Sequence, residues 1–210
     1  MKRNEADIAD FDFDSLFKAM DAQRVARRLS WNGVAKEMWQ MYAELDRSRP
    51  NDHPLSPSTI ISMSRHGNTT CQHALIFLQW LGRRPESFLP GVSMKDNRPL
   101  RPFGTDRRPR WHLRRLYDAL NARRQELDMT WPELARVLGC TPSQLTGIRT
   151  ARYAINMKLA MRIVQWLKRP STDSIYLATW RCDDESEHLR RLFLLCFDWV
   201  FCARRPAREE

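Results

Sequence analysis

Apolar positions recur at three- and four-residue spacing along most of the chain, which predicts helices rather than strands. The clearest stretch covers residues 130–149. Leu134, Ala135 and Leu138 form one stripe, Thr130 suits an N-cap, Pro132 fits a first turn, and Glu133 sets a negative charge at the positive helix end. Gly139 stops that helix, Thr141 caps a second with Pro142 at its first position, and Leu145 and Ile148 face inward. The pattern is helix, tight turn, helix. It leaves Ser143, Gln144, Thr146, Gly147 and Arg149 pointing outward.

The pattern occurs twice. Leu16, Ala19, Ala22, Arg24, Trp31 and Ala35 recur 100 residues later as Leu116, Ala119, Ala122, Arg124, Trp131 and Ala135. Ser56-Pro57-Ser58-Thr59-Ile60 matches Thr141-Pro142-Ser143-Gln144-Leu145, and Gln79-Trp80-Leu81 with Arg84-Pro85 matches Gln165-Trp166-Leu167 with Arg169-Pro170. Three blocks in one order predict two copies of one unit.

Each copy is expected to hold about five helices. In copy one they fall over residues 13–28, 31–45, 57–65, 70–81 and 85–88; in copy two, over 111–126, 131–138, 142–149, 156–167 and 172–177. The second helix of copy one is the longer, because Met38, Met41, Tyr42 and Leu45 continue its stripe before a loop at 49–54. An acidic arm (1–14), expected to be loose, precedes copy one (15–90). A basic segment rich in proline and arginine (91–110) reads as an extended linker to copy two (111–180). The tail (181–210) carries an apolar helix built on Leu189, Leu192, Phe193, Cys196, Phe197 and Val200. It packs on copy two as an extra helix or, on a second reading, joins two chains as a homodimer.

Composition narrows the function. The 210 residues are 42% hydrophobic with only 7 glycines, which suits a helical core. Net charge is +10 and the pI about 9.9, most of it from arginine, which favours phosphates and guanine edges. Five cysteines, odd in number and never in CxxC, and an acidic N-terminal stretch unlike a secretory signal point to a reducing cytoplasm. The most apolar run, 192–201, is too short to cross a bilayer. His66, Cys71 and His73 lack a second ligand pair at zinc spacing, so no metal is expected. Without a glycine-rich phosphate loop, HExxH or a nucleophile elbow, neither a cofactor, a small-molecule ligand nor an enzyme is expected. Trp31, Trp80, Trp131 and Trp166 sit at equivalent apolar positions and read as core.

The segments Thr130-Trp131-Pro132-Glu133-Leu134-Ala135, Leu138-Gly139-Cys140-Thr141-Pro142-Ser143 and Leu145-Thr146-Gly147-Ile148-Arg149 resemble the lambda repressor and Cro-like (XRE-type) helix-turn-helix family. Ser30-Trp31, Val34-Ala35, residues 56–60 with Met63, and residues 81–89 give copy one the same resemblance, interrupted by its inserted span. The resemblance implies an all-α chain. Two five-helix lambda-repressor-like domains would be joined by the basic linker and followed by a C-terminal helix. It also implies a third helix in the major groove of double-stranded DNA. Base contacts are then expected from Ser58, Thr59 and Ser62 in copy one and from Ser143, Gln144 and Gly147 in copy two. Gln144 is suited to adenine.

Phosphate contacts are expected from Ser30, Asn32 and Thr130, at the start of each second helix, and from Arg65, His66, Asn68, Arg149, Arg152, Tyr153 and Lys158, just past the third helices. Arg107, Arg108 and Arg110 are candidates for a minor-groove arm. The implied function is a sequence-specific transcriptional regulator, repressor-like, bacterial or phage, reading two unlike half-sites. The alternatives are a protein-interaction adaptor of antitoxin type and a non-specific nucleoid-associated protein.

Overall fold

The computed structural model describes residues 8–44, 55–91, 105–151 and 155–178. The chain is mostly helical, with one small two-stranded sheet. In the first half, α1 (Phe13–Ala26) begins at the Asp12 cap and α2 (Trp31–Gln40) at the Ser30 cap. Next come α3 (Pro57–His66), capped by Ser56, and α4 (Cys71–Leu81), capped by Thr70; a 3-10 turn (Pro85–Phe88) closes the half. In the second half, β1 (Arg108–Trp111) precedes α5 (Leu113–Glu126), α6 (Trp131–Leu138) and α7 (Pro142–Gly147). A 3-10 turn (Ile148–Thr150), α8 (Met157–Trp166), a second 3-10 turn (Ser171–Ser174) and β2 (Ile175–Ala178) follow.

The repeat in sequence is a repeat in packing. The order of buried and exposed positions over residues 11–30 recurs over 111–130 with one difference, at Asp14 and Arg114. Arg24 lies over Trp31 at 5.0 Å and donates to the Leu29 carbonyl, with Phe17 stacked on the far side. Arg124, Trp131, Met129 and Tyr117 reproduce that sandwich. Trp31 and Trp131 are thus half-buried between an aromatic ring and a guanidinium, while Trp80 is buried and Trp166 half-buried.

Four local expectations need correction. α2 ends at Gln40, and Tyr42, though fully buried, lies in the turn beyond it. Residues 172–177 are not a helix: a 3-10 turn gives way to β2, whose half-buried Ile175 and Tyr176 extend along β1. Trp111 is in β1, so α5 starts two residues later than expected. The end of the acidic segment is not loose: Phe11 is buried, and Ala9 exchanges two hydrogen bonds with the Gln165 side chain.

The largest departure concerns residues 108–110, expected to be linker. β1 pairs antiparallel with β2 in the register Arg108 to Ala178, Pro109 to Leu177, Arg110 to Tyr176 and Trp111 to Ile175. Proline is tolerated because the pair has only edge strands. β1 also packs on α4 of the first half, where Gln72 bonds both the N–H and the carbonyl of Trp111.

The two halves share one hydrophobic core. α4 buries Cys71, Ala74, Leu75, Ile76, Phe77, Leu78 and Trp80, more than one helix face can present. Its second side meets α8. At the start of these helices the caps Thr70 and Asn156 form an antiparallel bridge; Cys71 N–H donates to Ile155 O at 2.8 Å and Met157 N–H to Thr69 O at 3.0 Å. A shift of 86 residues turns each bond into the other (Thr69 to Ile155, Cys71 to Met157), so the halves meet across a local two-fold axis. The N-terminal segment of each half crosses onto the fourth helix of the other: residues 9–10 onto α8, β1 onto α4.

Candidate nucleic-acid interface

The third helix of each half leads into this seam through a short stretch of chain. α3 ends four residues before Thr70, and the turn after α7 ends six before Asn156. At most about 3.6 Å per residue, plus about 5 Å across the bridge, keeps those ends within roughly 40 Å of each other.

Each third helix is anchored through one face. Ile60 in α3 and Leu145 in α7 are fully buried, as is Ile148 just beyond. Ser58, Ser62, Ser143, Gln144, Thr146 and Gly147 are exposed, and Thr59 is half-buried. Matching clusters form at the N-termini. The Ser56 hydroxyl lies 2.8 Å from those of both Ser58 and Thr59; the Thr141 hydroxyl lies 3.0 Å from Ser143 and accepts from the Gln144 N–H. Ser58, Thr59, Ser62, Met63, His66 and Asn68 line a single open groove, which unites five of the expected site residues.

Gln144 is less available than the sequence implies. Its Oε1 accepts the Thr141 N–H at 2.9 Å, completing a reciprocal cap on α7. Reading adenine with both amide groups requires that cap to open.

The phosphate candidates divide. Ser30 caps α2 through the Gly33 N–H, with nothing larger than Gly33 at the third position. At the matching place, Glu133 Oε2 accepts the Thr130 N–H and hydroxyl, both at 2.7 Å. Hydrogen bonds from the Thr130 backbone and side chain hold the Glu133 carboxyl below its usual range, so a negative charge already occupies the start of α6. Arg65 and Arg149 are exposed. His66 is exposed too, with Nδ1–H donating to the Ser62 carbonyl at 2.7 Å. Asn68 accepts the Thr69 N–H. Lys158 is ion-paired to Asp10 at 2.6 Å. Arg152, Tyr153 and the tail helix lie outside the described residues.

The minor-groove arm does not stand for Arg108, which is 7% exposed, with its guanidinium 4.8 Å over the Tyr42 ring. Arg110 is half-buried in the same strand, and only Arg107 is fully at the surface, beside Asp106 at 3.4 Å. The strand pairing takes up the backbone that an arm would need free.

Compared with known proteins, the chain matches no family model, no curated protein and no solved structure.

Three contributors escape sequence inspection. Ile61 is 36% exposed on α3, an apolar group suited to a thymine methyl; its position next to the buried Ile60 was the available signal. Asp10 and Arg162 make a cross-half ion pair that no local pattern announces. Among the described thiols, burial pushes Cys71 up to about 12 and also raises the half-buried Cys140. Among the described residues, no group of three His, Cys, Asp or Glu is placed to hold a metal, and no helix is long and apolar enough to cross a membrane.

Proposed function

We propose that the chain is a sequence-specific binder of double-stranded DNA, acting as a transcriptional regulator with two helix-turn-helix reading heads in one polypeptide. The observation that carries this reading is the pair of exposed polar helices, α3 and α7, each joined by a short stretch of chain to one local two-fold seam. B-DNA presents equivalent major-groove faces about 34–36 Å apart, within the roughly 40 Å limit on the helix ends. A two-fold relation suits half-sites in inverted order. The groove-facing residues differ: Ser58, Thr59, Ile61 and Ser62 on one side, Ser143, Gln144, Thr146 and Gly147 on the other. The half-sites are therefore unlike. The +10 charge, with Arg65 exposed in the last turn of α3 and Arg149 exposed just past α7, supplies phosphate attraction.

Selection from random duplexes, followed by binding at several salt concentrations, tests this. Expected are one bipartite site, an affinity that falls steeply with salt, and relaxed preference at one half-site for Gln144→Ala. Failure to bind any duplex at low salt, together with a salt-insensitive protein complex, would place the chain among interaction adaptors. Equal affinity for scrambled duplexes would make it a non-specific DNA coater.

A further inference from the structure

The two crossings of the N-terminal segments are alike in path and opposite in charge. In one, Asp10 meets α8: Oδ1 accepts from Arg162 Nε and lies 2.7 Å from Arg162 Nη2, while Oδ2 lies 2.6 Å from Lys158 Nζ. In the other, the residue matching Asp10 is Arg110, and the one matching Lys158 is Gln72. The repeat therefore preserves the crossing and not the ion pairs.

Arg162 reaches further. Its Nη1 donates to the Leu138 carbonyl at 2.8 Å and to Gly139 O at 3.2 Å, at the turn between α6 and α7. Gly139 holds a left-handed φ of +60°, and a Cβ there would collide with the Arg162 guanidinium. Asp10, in the first half, thus braces the arginine that ties down the turn ahead of α7 in the second.

Lys158 stands at the junction of the halves. It lines one cleft with Phe11, Gly67, Asn68 and Asn156, and Asn68 also borders the groove along α3. On the duplex-binding reading, a lysine beside this seam would lie near the centre of a duplex that spans α3 and α7. The Asp10 carboxylate already holds it.

We propose that Asp10 is a positioning residue for sequence discrimination, which braces the α6–α7 turn through Arg162 and withholds Lys158 from phosphate. This rests on the duplex-binding reading above. The brace favours one orientation of α7, and the neutralised lysine limits attraction that is blind to sequence.

The test compares the full-length wild type with Asp10→Asn, Lys158→Gln and the double variant, on the selected duplex and a scrambled one, across a salt series. Asp10→Asn is expected to bind scrambled duplex several-fold more tightly, with a lower specific-to-scrambled ratio. The slope of log affinity against log salt steepens by about 0.9 for one released phosphate contact. Lys158→Gln leaves the wild-type slope unchanged and restores it in the Asp10→Asn background; Asp10→Glu recovers wild-type discrimination. An unchanged slope and ratio in Asp10→Asn, or a Lys158→Gln effect of equal size with and without Asp10, overturns the proposal. Lys158→Gln in the wild type decides the point even where Asp10→Asn folds poorly, because a flattened slope there shows Lys158 already engaged with phosphate. A wild type that binds no duplex instead overturns the functional reading itself.

Discussion

Thr70 and Asn156 face each other across an antiparallel bridge, each of them capping the fourth helix of its own half. The bridge joins the two repeats through backbone bonds and sets α4 against α8, so neither fourth helix is buried by its own half alone.

Unfolding should therefore be a single event. Leu78 is fully buried in α4 within the shared core. Leu78→Ala is expected to cost about 2–5 kcal/mol and to lower the urea midpoint of both halves together. Tryptophan fluorescence and far-ultraviolet circular dichroism should give coincident curves. Two separated transitions would mean that the halves fold independently.

The repeat offers an internal control on backbone strain. Gly82 and Lys168 occupy matching turns after α4 and α8, with the same pair of backbone bonds and φ of +66° and +55°. Lysine carries a Cβ penalty there that glycine does not, offset in part by the greater freedom of glycine in the unfolded chain. Lys168→Gly should leave stability unchanged or raise it by up to about 1 kcal/mol, whereas Gly82→Lys should lower it. Thermal unfolding of the two variants decides the sign.

The arginine sandwiches make a paired prediction. Arg124 bonds Asn121 and the Met129 carbonyl while covering Trp131. Arg124→Gln removes the charge–ring contact and shortens the reach, at about 1–3 kcal/mol. Arg124→Lys keeps the charge but not the fork and should recover less than half of the loss. Arg24→Gln should behave alike in the first half. A negligible effect on the urea midpoint at both sites would show that the sandwiches are surface decoration.

Acid should release the N-terminal crossing. Burial raises the Asp10 pKa, but hydrogen bonds and charge from Lys158 and Arg162 outweigh that and leave it below the ordinary carboxylate value. A depressed folded pKa stabilises the native state above the unfolded value, and the contribution is lost as pH falls through the folded one. The Ala9 and Asp12 amides donate to Gln165 Oε1 and the Phe88 carbonyl, and their protection against hydrogen exchange, relative to the intrinsic rate, should fall below about pH 4 in the wild type. In Asp10→Asn it should already be low at neutral pH. Protection that does not change with pH in the wild type would show that the ion pairs do not hold the segment.

Much of the local structure was legible in the residues. The starts of α2 to α8 lie within two positions of their expectations, because a capping side chain and an apolar stripe act over a single turn. The duplication was legible for the same reason, since Arg24 and Trp31 meet within one helix–turn–helix span and carry their partners with them at Arg124 and Trp131. That Ser58, Ser62 and His66 share one face of α3 was legible too, because they recur at four-residue spacing.

What depended on distant chain was not. Residues 108–111 have no strand pattern of their own and take that form because Ile175 and Tyr176 supply the other half of the ladder. Ala9 finds Gln165 at a separation of 156 residues, and Asp10 finds Arg162 at 152. Helix propensity and capping are properties of neighbours along the chain. Which strand pairs, which arginine is buried and which carboxylate holds Lys158 depend on how the halves cross, and that follows from burying the second faces of α4 and α8 against each other.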